Sequence, residues 1–137
     1  MIPRGERNNN PGNLRVNPAN RWQGKLIGTD KRDSVFEEFT TLEYGYRALL
    51  ITLRTYIQKY RLHTLRQIIT RWAPPEDNND TESYIRQVSK YTGIPIGAYL
   101  GFDDEAKLTK LAYAISRVEN GRYVGTVEVI RKAWRMI

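Results

Sequence analysis

A chain of 137 residues with 40% hydrophobic and 27% charged residues has the size and balance of one globular domain that can bury a core. It contains no cysteine and a single histidine, His63. That excludes a disulfide scaffold, a thiol nucleophile and a cysteine zinc site, and it leaves histidine metal clusters and histidine-dependent triads without their parts. Lys and Arg number 22 against 15 Asp and Glu, a formal charge of +7 that suits an anionic polymer such as bacterial wall material or nucleic acid.

No apolar run approaches the ~20 residues of a membrane span, and the first residues carry no apolar stretch, so no secretory signal peptide is expected. Residues 1–39 form an Asn-, Gly-, Pro- and Arg-rich segment with short extended pieces at Leu14-Arg15-Val16 and Trp22 to Ile27. A turn at Gly28-Thr29-Asp30-Lys31 and a returning strand at Ser34-Val35-Phe36 complete a small predicted β-hairpin.

From Thr40 the pattern turns helical and stays so through residue 137. Thr40 with Glu43 has the form of a capping box, and Leu42, Tyr46, Leu49, Leu50, Leu53, Tyr56, Ile57 and Tyr60 share a stripe. Gly45 inside this helix costs ~1 kcal/mol relative to Ala, which predicts close packing against another backbone. Thr64 with Gln67 opens a second helix, ended by Ala73-Pro74-Pro75. Thr81 is the expected cap of a third, through Tyr84, Ile85 and Val88 to Gly93. Asp103 or Asp104 caps a fourth with Leu108, Leu111, Ala112 and Ile115 inward and Gly121 at its end. A last helix from Thr126 is expected to bury Val127, Ile130 and Trp134, with Arg131, Lys132 and Arg135 on a basic face. The fold class is α+β, mostly α, a single helical domain with its β-hairpin at the N-terminal end.

Glu119 breaks a local rule. It lies four residues after Ile115 on the buried stripe, yet in the last helical turn, where the dipole disfavours a carboxylate by about 0.3–1 kcal/mol. Burial and dipole both raise its pKa, and a carboxyl group protonated near neutral pH is what a general acid of glycosidic cleavage requires. The competing reading has Glu119 turn to solvent and pair with Arg122 or Arg117.

The string Arg4-Gly5-Glu6-Arg7-Asn8-Asn9-Asn10-Pro11-Gly12-Asn13-Leu14-Arg15 resembles the opening of small phage and prophage virion proteins that degrade peptidoglycan. Trp22-Gln23-Gly24, Phe36 to Phe39, Gly45-Tyr46-Arg47-Ala48, Trp72-Ala73-Pro74-Pro75 with Thr81 and Tyr84, and Ala114 to Gly121 continue that pattern in order. A looser likeness is to lytic transglycosylases and glucosaminidases of the lysozyme superfamily, with the Glu-bearing helix moved behind the Asn-Leu and Trp-x-Gly elements as in a circular permutation.

The resemblance implies a lysozyme-like fold and glycan-strand cleavage, as a lytic transglycosylase or a muramidase or glucosaminidase, with Glu119 as acid and base; Glu6, on which the resemblance places no specific demand, is the fallback acid. Asn8, Asn9, Asn10, Asn13, Trp22, Trp72 and Tyr84 are the candidate substrate residues. Turn formation is the alternative for the asparagines and core packing the alternative for Trp72. A hydrolase needs a second carboxylate, with Asp30, Asp33, Glu37 and Glu38 as candidates. A transglycosylase needs one, since the substrate's own hydroxyl closes an anhydro ring.

No cofactor and no metal are expected. The expected partners are peptidoglycan and other virion proteins, without specific nucleic acid. The expected location is the virion, or the host cytoplasm before release, with the cell wall as the place of action. A murein endopeptidase and a non-catalytic virion or wall-binding protein are the alternatives. A nucleic-acid-binding domain rests on charge alone, without a recognisable motif.

Overall fold

In a computed structural model, which describes residues 1–137, six helices carry the chain: α1 (Arg4–Arg7), α2 (Leu42–Gln58), α3 (Leu65–Trp72), α4 (Thr81–Thr92), α5 (Glu105–Asn120) and α6 (Val127–Arg135). Their starts follow from capping chemistry. Thr41, Thr64, Asp80, Asp104 and Thr126 each accept a hydrogen bond from a backbone N–H in the first turn of their helix, which satisfies donors the helix itself cannot. Two caps sit one residue from the expected ones. Thr41 replaces Thr40, and Asp80 replaces Thr81, whose hydroxyl instead donates to the Ala73 carbonyl at 2.6 Å and ties α4 to the end of α3.

The helices bury one apolar core. Leu49, Leu50 and Leu53 of α2, Ile68 and Ile69 of α3, Ile85 and Val88 of α4, and Leu108, Leu111 and Ile115 of α5 are fully enclosed. α2 packs on α5 and α6, and α4 packs on α3 and α5. On α6, Ile130 and Ala133 are buried, while Val127 is 40% exposed, so the expectation that Val127 turns inward is corrected: the inward stripe begins one turn later. No helix is long and apolar enough to cross a membrane.

The predicted β-hairpin does not form. Residues 8–39 make two isolated antiparallel bridges, Arg15 with Phe36 and Lys25 with Phe39, and no strand. The physical reason is competition from side chains. Asn10 is fully buried, and its amide donates to the carbonyls of Leu14 and Glu37 at 2.9 Å while its oxygen accepts from the Leu14 N–H. Asp33 accepts from the Val35 and Phe36 N–H groups, and Glu38 accepts from those of Arg32 and Asp33. Backbone groups that a ladder would pair are taken by amides and carboxylates.

This polar weave is pinned to α2 at Gly45, which lies against the Asn9 carbonyl: a Cβ there would meet that oxygen at 1.8 Å. The expected close approach of another backbone at Gly45 is present.

Asp33 is the knot of the weave. Besides the two N–H groups it accepts from Arg4 Nε at 2.6 Å, Arg4 Nη2 at 2.8 Å and Asn8 Nδ2 at 2.9 Å. The Arg4 guanidinium in particular holds its carboxyl well below the usual carboxylate range. A group whose pKa falls on folding adds stability above its unfolded value, and that stability fades as pH drops through and below it. Asp33→Asn, which sets an NH2 against these donors, is expected to cost about 2 kcal/mol at neutral pH. Urea unfolding at pH 7 and pH 3 checks this: the gap between the two proteins narrows at pH 3.

Candidate functional site

Glu119 sits on α5 one turn beyond Ile115, where the apolar stripe reaches the end of the core. α5 stops at Gly121, which takes a left-handed conformation with φ 76° that glycine adopts without steric cost. The side chain of Glu119 does not turn to bulk solvent and does not pair with either arginine. Arg122 pairs with Glu6, and Arg117 lies over the Tyr91 ring at 4.1 Å.

Both oxygens of Glu119 are held by neutral donors. Tyr84 donates its hydroxyl to Oε2 at 2.8 Å, and Asn13 donates Nδ2 to Oε1 at 3.3 Å. Tyr84 is itself fixed by accepting from the Trp72 indole N–H at 2.9 Å. Trp72, Tyr84 and Glu119 therefore form a relay from the ends of α3 and α5 and the start of α4. Desolvation by burial pushes the Glu119 carboxyl above its ordinary 4.5, partly offset by the hydrogen bonds from Tyr84 and Asn13. Burial pushes the Tyr84 hydroxyl well above 10, so it stays a donor through the neutral range.

Asn13 reaches Glu119 because its backbone is left-handed, with φ 50°, a conformation asparagine tolerates better than most residues. Asn120, next to Glu119, donates to the Pro11 carbonyl at 2.9 Å and fastens the same loop to α5. Residues 106 positions apart thus meet at one carboxylate.

In front of Glu119 runs a groove of about 450 Å³, lined by Asn13, Arg15, Tyr56, Trp72 and Asp77 among others. Amide, guanidinium, phenol and indole groups beside an acid whose pKa burial raises offer a ligand hydrogen-bond donors, acceptors and aromatic faces. No group of His, Asp and Glu side chains stands together as metal ligands.

The other candidates divide. Asn13 and Trp72 join Glu119 at the groove, and Tyr84 supports it from beneath, 7% exposed. Asn8, Asn9 and Asn10 are structural: they donate to Asp33, the Phe39 carbonyl, and the Leu14 and Glu37 carbonyls. Trp22, half-buried, does not line the groove. Glu6 is engaged by Arg122.

None of the four proposed second carboxylates lines the groove. Asp30, Asp33 and Glu38 border a different depression with Arg4 and Arg32, and Glu37 is buried beside Lys25 at 3.5 Å. The carboxylate that lines it besides Glu119 is Asp77, in the single turn of 3-10 helix after Pro74. Asp77 was not among the acids that the sequence singled out, since it lies in a run of polar residues, Glu76-Asp77-Asn78-Asn79-Asp80, that reads as a loop. Its position beside Trp72, after a proline stop that folds the chain back, was the available signal.

No protein-family model matches the chain. Over 133 residues it is 41% identical to Protein P5 of Pseudoalteromonas phage PM2, an alignment covering 96% of this chain and 79% of the relative.

Proposed function

The chain belongs to the family of Protein P5 from Pseudoalteromonas phage PM2, and from that phage setting and the geometry of Glu119 we propose that it cuts the glycan strands of bacterial peptidoglycan. The observation that carries the proposal is a single one. A desolvated carboxyl group, oriented by Tyr84 and Asn13, borders an open groove lined by aromatic and amide side chains.

In the first step Glu119 gives its proton to the glycosidic oxygen as the C1–O bond breaks, and positive charge develops on the sugar ring. Oε1 carries the weaker of the two hydrogen bonds and is the oxygen assigned to proton transfer. In the second step the ring's own C6 hydroxyl attacks C1, the Glu119 carboxylate takes that hydroxyl's proton, and a 1,6-anhydro ring closes. Atoms and charge balance without water or a second acid, and the resting protonation state is restored. Asp77 on the groove favours one variant, in which it activates a water and the product is a reducing sugar.

Digestion of purified peptidoglycan followed by mass spectrometry tests the reading. Anhydro-muropeptides are the expected products, and reducing ends indicate the Asp77 variant. New peptide termini would make the protein an endopeptidase instead, and intact sacculi would make it a wall-binding or virion structural protein.

The relay makes a sharper expectation. The Tyr84 hydroxyl bond favours the ionised form of Glu119, so Tyr84→Phe raises the Glu119 pKa further. The limb of the pH–rate profile at which the general acid is lost moves to higher pH, while the maximal rate falls about tenfold from poorer positioning. A profile recorded from pH 4 to 9 checks both the shift and its sign.

A further inference from the structure

A second cleft of about 690 Å³ lies beside the Glu119 groove and shares one lining residue with it, Tyr56. The end of α3 divides them: Arg71 and Pro74 face the second cleft, and Trp72 and Ala73 face the first. Arg71 is the distinctive group there. Its guanidinium carbon lies 3.7 Å from the centre of the Tyr60 ring and 5.3 Å from that of Tyr56.

The charges around it are few. Arg66 is tied to Glu82, Glu76 lies on the rim and is exposed, and no carboxylate forms an ion pair with Arg71. A guanidinium this close to aromatic rings and without an ion-pair partner has N–H groups to offer a carboxylate, which it can bind through two parallel bonds. Gln67 and Thr70 beside it supply donors and acceptors for amides.

We infer that this cleft is a subsite for the peptide stem of the glycan strand, with Arg71 binding one of the stem's free carboxylates while the sugar chain lies along Glu119. The inference rests on the glycan-strand reading of the neighbouring groove. It adds a specificity: the enzyme prefers peptide-bearing strands to stripped ones.

Calorimetric or NMR titration with a disaccharide–tetrapeptide muropeptide, and with the same disaccharide lacking its peptide, tests it. The peptide-bearing ligand binds about tenfold more tightly or better, the worth of one charge-assisted contact. Arg71→Gln abolishes that difference and leaves the peptide-free affinity unchanged. Arg71→Lys restores part of it, since an ammonium lacks the planar fork. Equal affinities in the native protein, or a difference that survives Arg71→Gln, overturn the inference.

In turnover, Arg71→Gln lowers kcat/KM on intact peptidoglycan about tenfold and spares strands freed of peptide by an amidase. An equal loss on both substrates overturns it. Failure of the glycan reading has a separate signature, no cleavage of either substrate, and the titrations report on the cleft regardless.

Discussion

Glu119→Gln lowers the rate of glycan-strand cleavage by about a thousandfold, in the middle of the range for removal of a general acid. Glutamine has the size of the native side chain and accepts hydrogen bonds from Tyr84 or Asn13, so the groove keeps its shape and substrate affinity stays within about threefold. What is lost is a proton to transfer. Glu119→Asp keeps the proton but withdraws it by one methylene, and a displacement of that size costs about a hundredfold. Release of muropeptides from sacculi, followed by dye or mass spectrometry, measures both. Undiminished release by the glutamine variant would remove Glu119 from the mechanism whatever the products are.

The same substitution has a consequence for stability that runs opposite to that of Asp33. The folded pKa of Glu119 is raised, so its protonated form adds stability that is complete below the unfolded value near 4.5 and is lost as pH rises through the folded pKa. Native stability carries this decline and the glutamine variant does not. Thermal unfolding of the two proteins therefore diverges in favour of the variant between pH 4 and pH 7.

The largest expected loss of stability comes from Gly45→Ala. Helix propensity alone predicts a gain of about 1 kcal/mol for alanine in a helix. The structure predicts the reverse, because the new Cβ would stand 1.8 Å from the Asn9 carbonyl oxygen and 2.9 Å from Pro11 Cδ. Both neighbours belong to a loop fixed by buried hydrogen bonds, so neither yields without breaking the Asn10 and Asp33 network. A cost of about 3–5 kcal/mol is expected, above the usual range for overpacking, which lowers Tm by roughly 10–15 °C in a domain of this size. Calorimetry checks it, with Gly97→Ala as control: a Cβ at Gly97 meets nothing within 4 Å. Displacement of the loop also withdraws Asn13 from Glu119, so Gly45→Ala loses activity even at temperatures where it stays folded.

The helical part of this fold was legible because its signals are local. Thr64 and Thr126 cap as their positions suggest, and the stripe of α5 runs unbroken from Leu108 to Ile115. Glu119 was legible for the same reason, as an acid placed on an apolar stripe at the wrong end of a dipole. The first 39 residues were not. Short apolar pairs such as Leu14 and Val16 read as strands, but the structure there is set by Asn10, Asp33 and Glu38, whose bonds span up to 29 residues. No periodicity encodes a buried amide that replaces a ladder.

That Asp30, Asp33, Glu37 and Glu38 lie away from the groove has the same cause. In a hairpin, Glu37 and Glu38 would occupy opposite faces; here both are buried, Glu38 accepting backbone N–H groups and Glu37 beside Lys25. Asp77, by contrast, is brought to the groove by a proline turn whose direction depends on the packing of α3 against α4.

The account depends on an acid that keeps its proton where ordinary carboxylates have lost theirs. Titration of the Glu119 side-chain carboxyl carbon by 13C NMR, assigned by its disappearance in Glu119→Gln, measures this directly. The predicted midpoint lies above 4.5, the ordinary value, and rises further in Tyr84→Phe. A midpoint at or below 4.5 in the native protein would contradict this, since burial would then not be favouring the protonated acid on which the transfer depends.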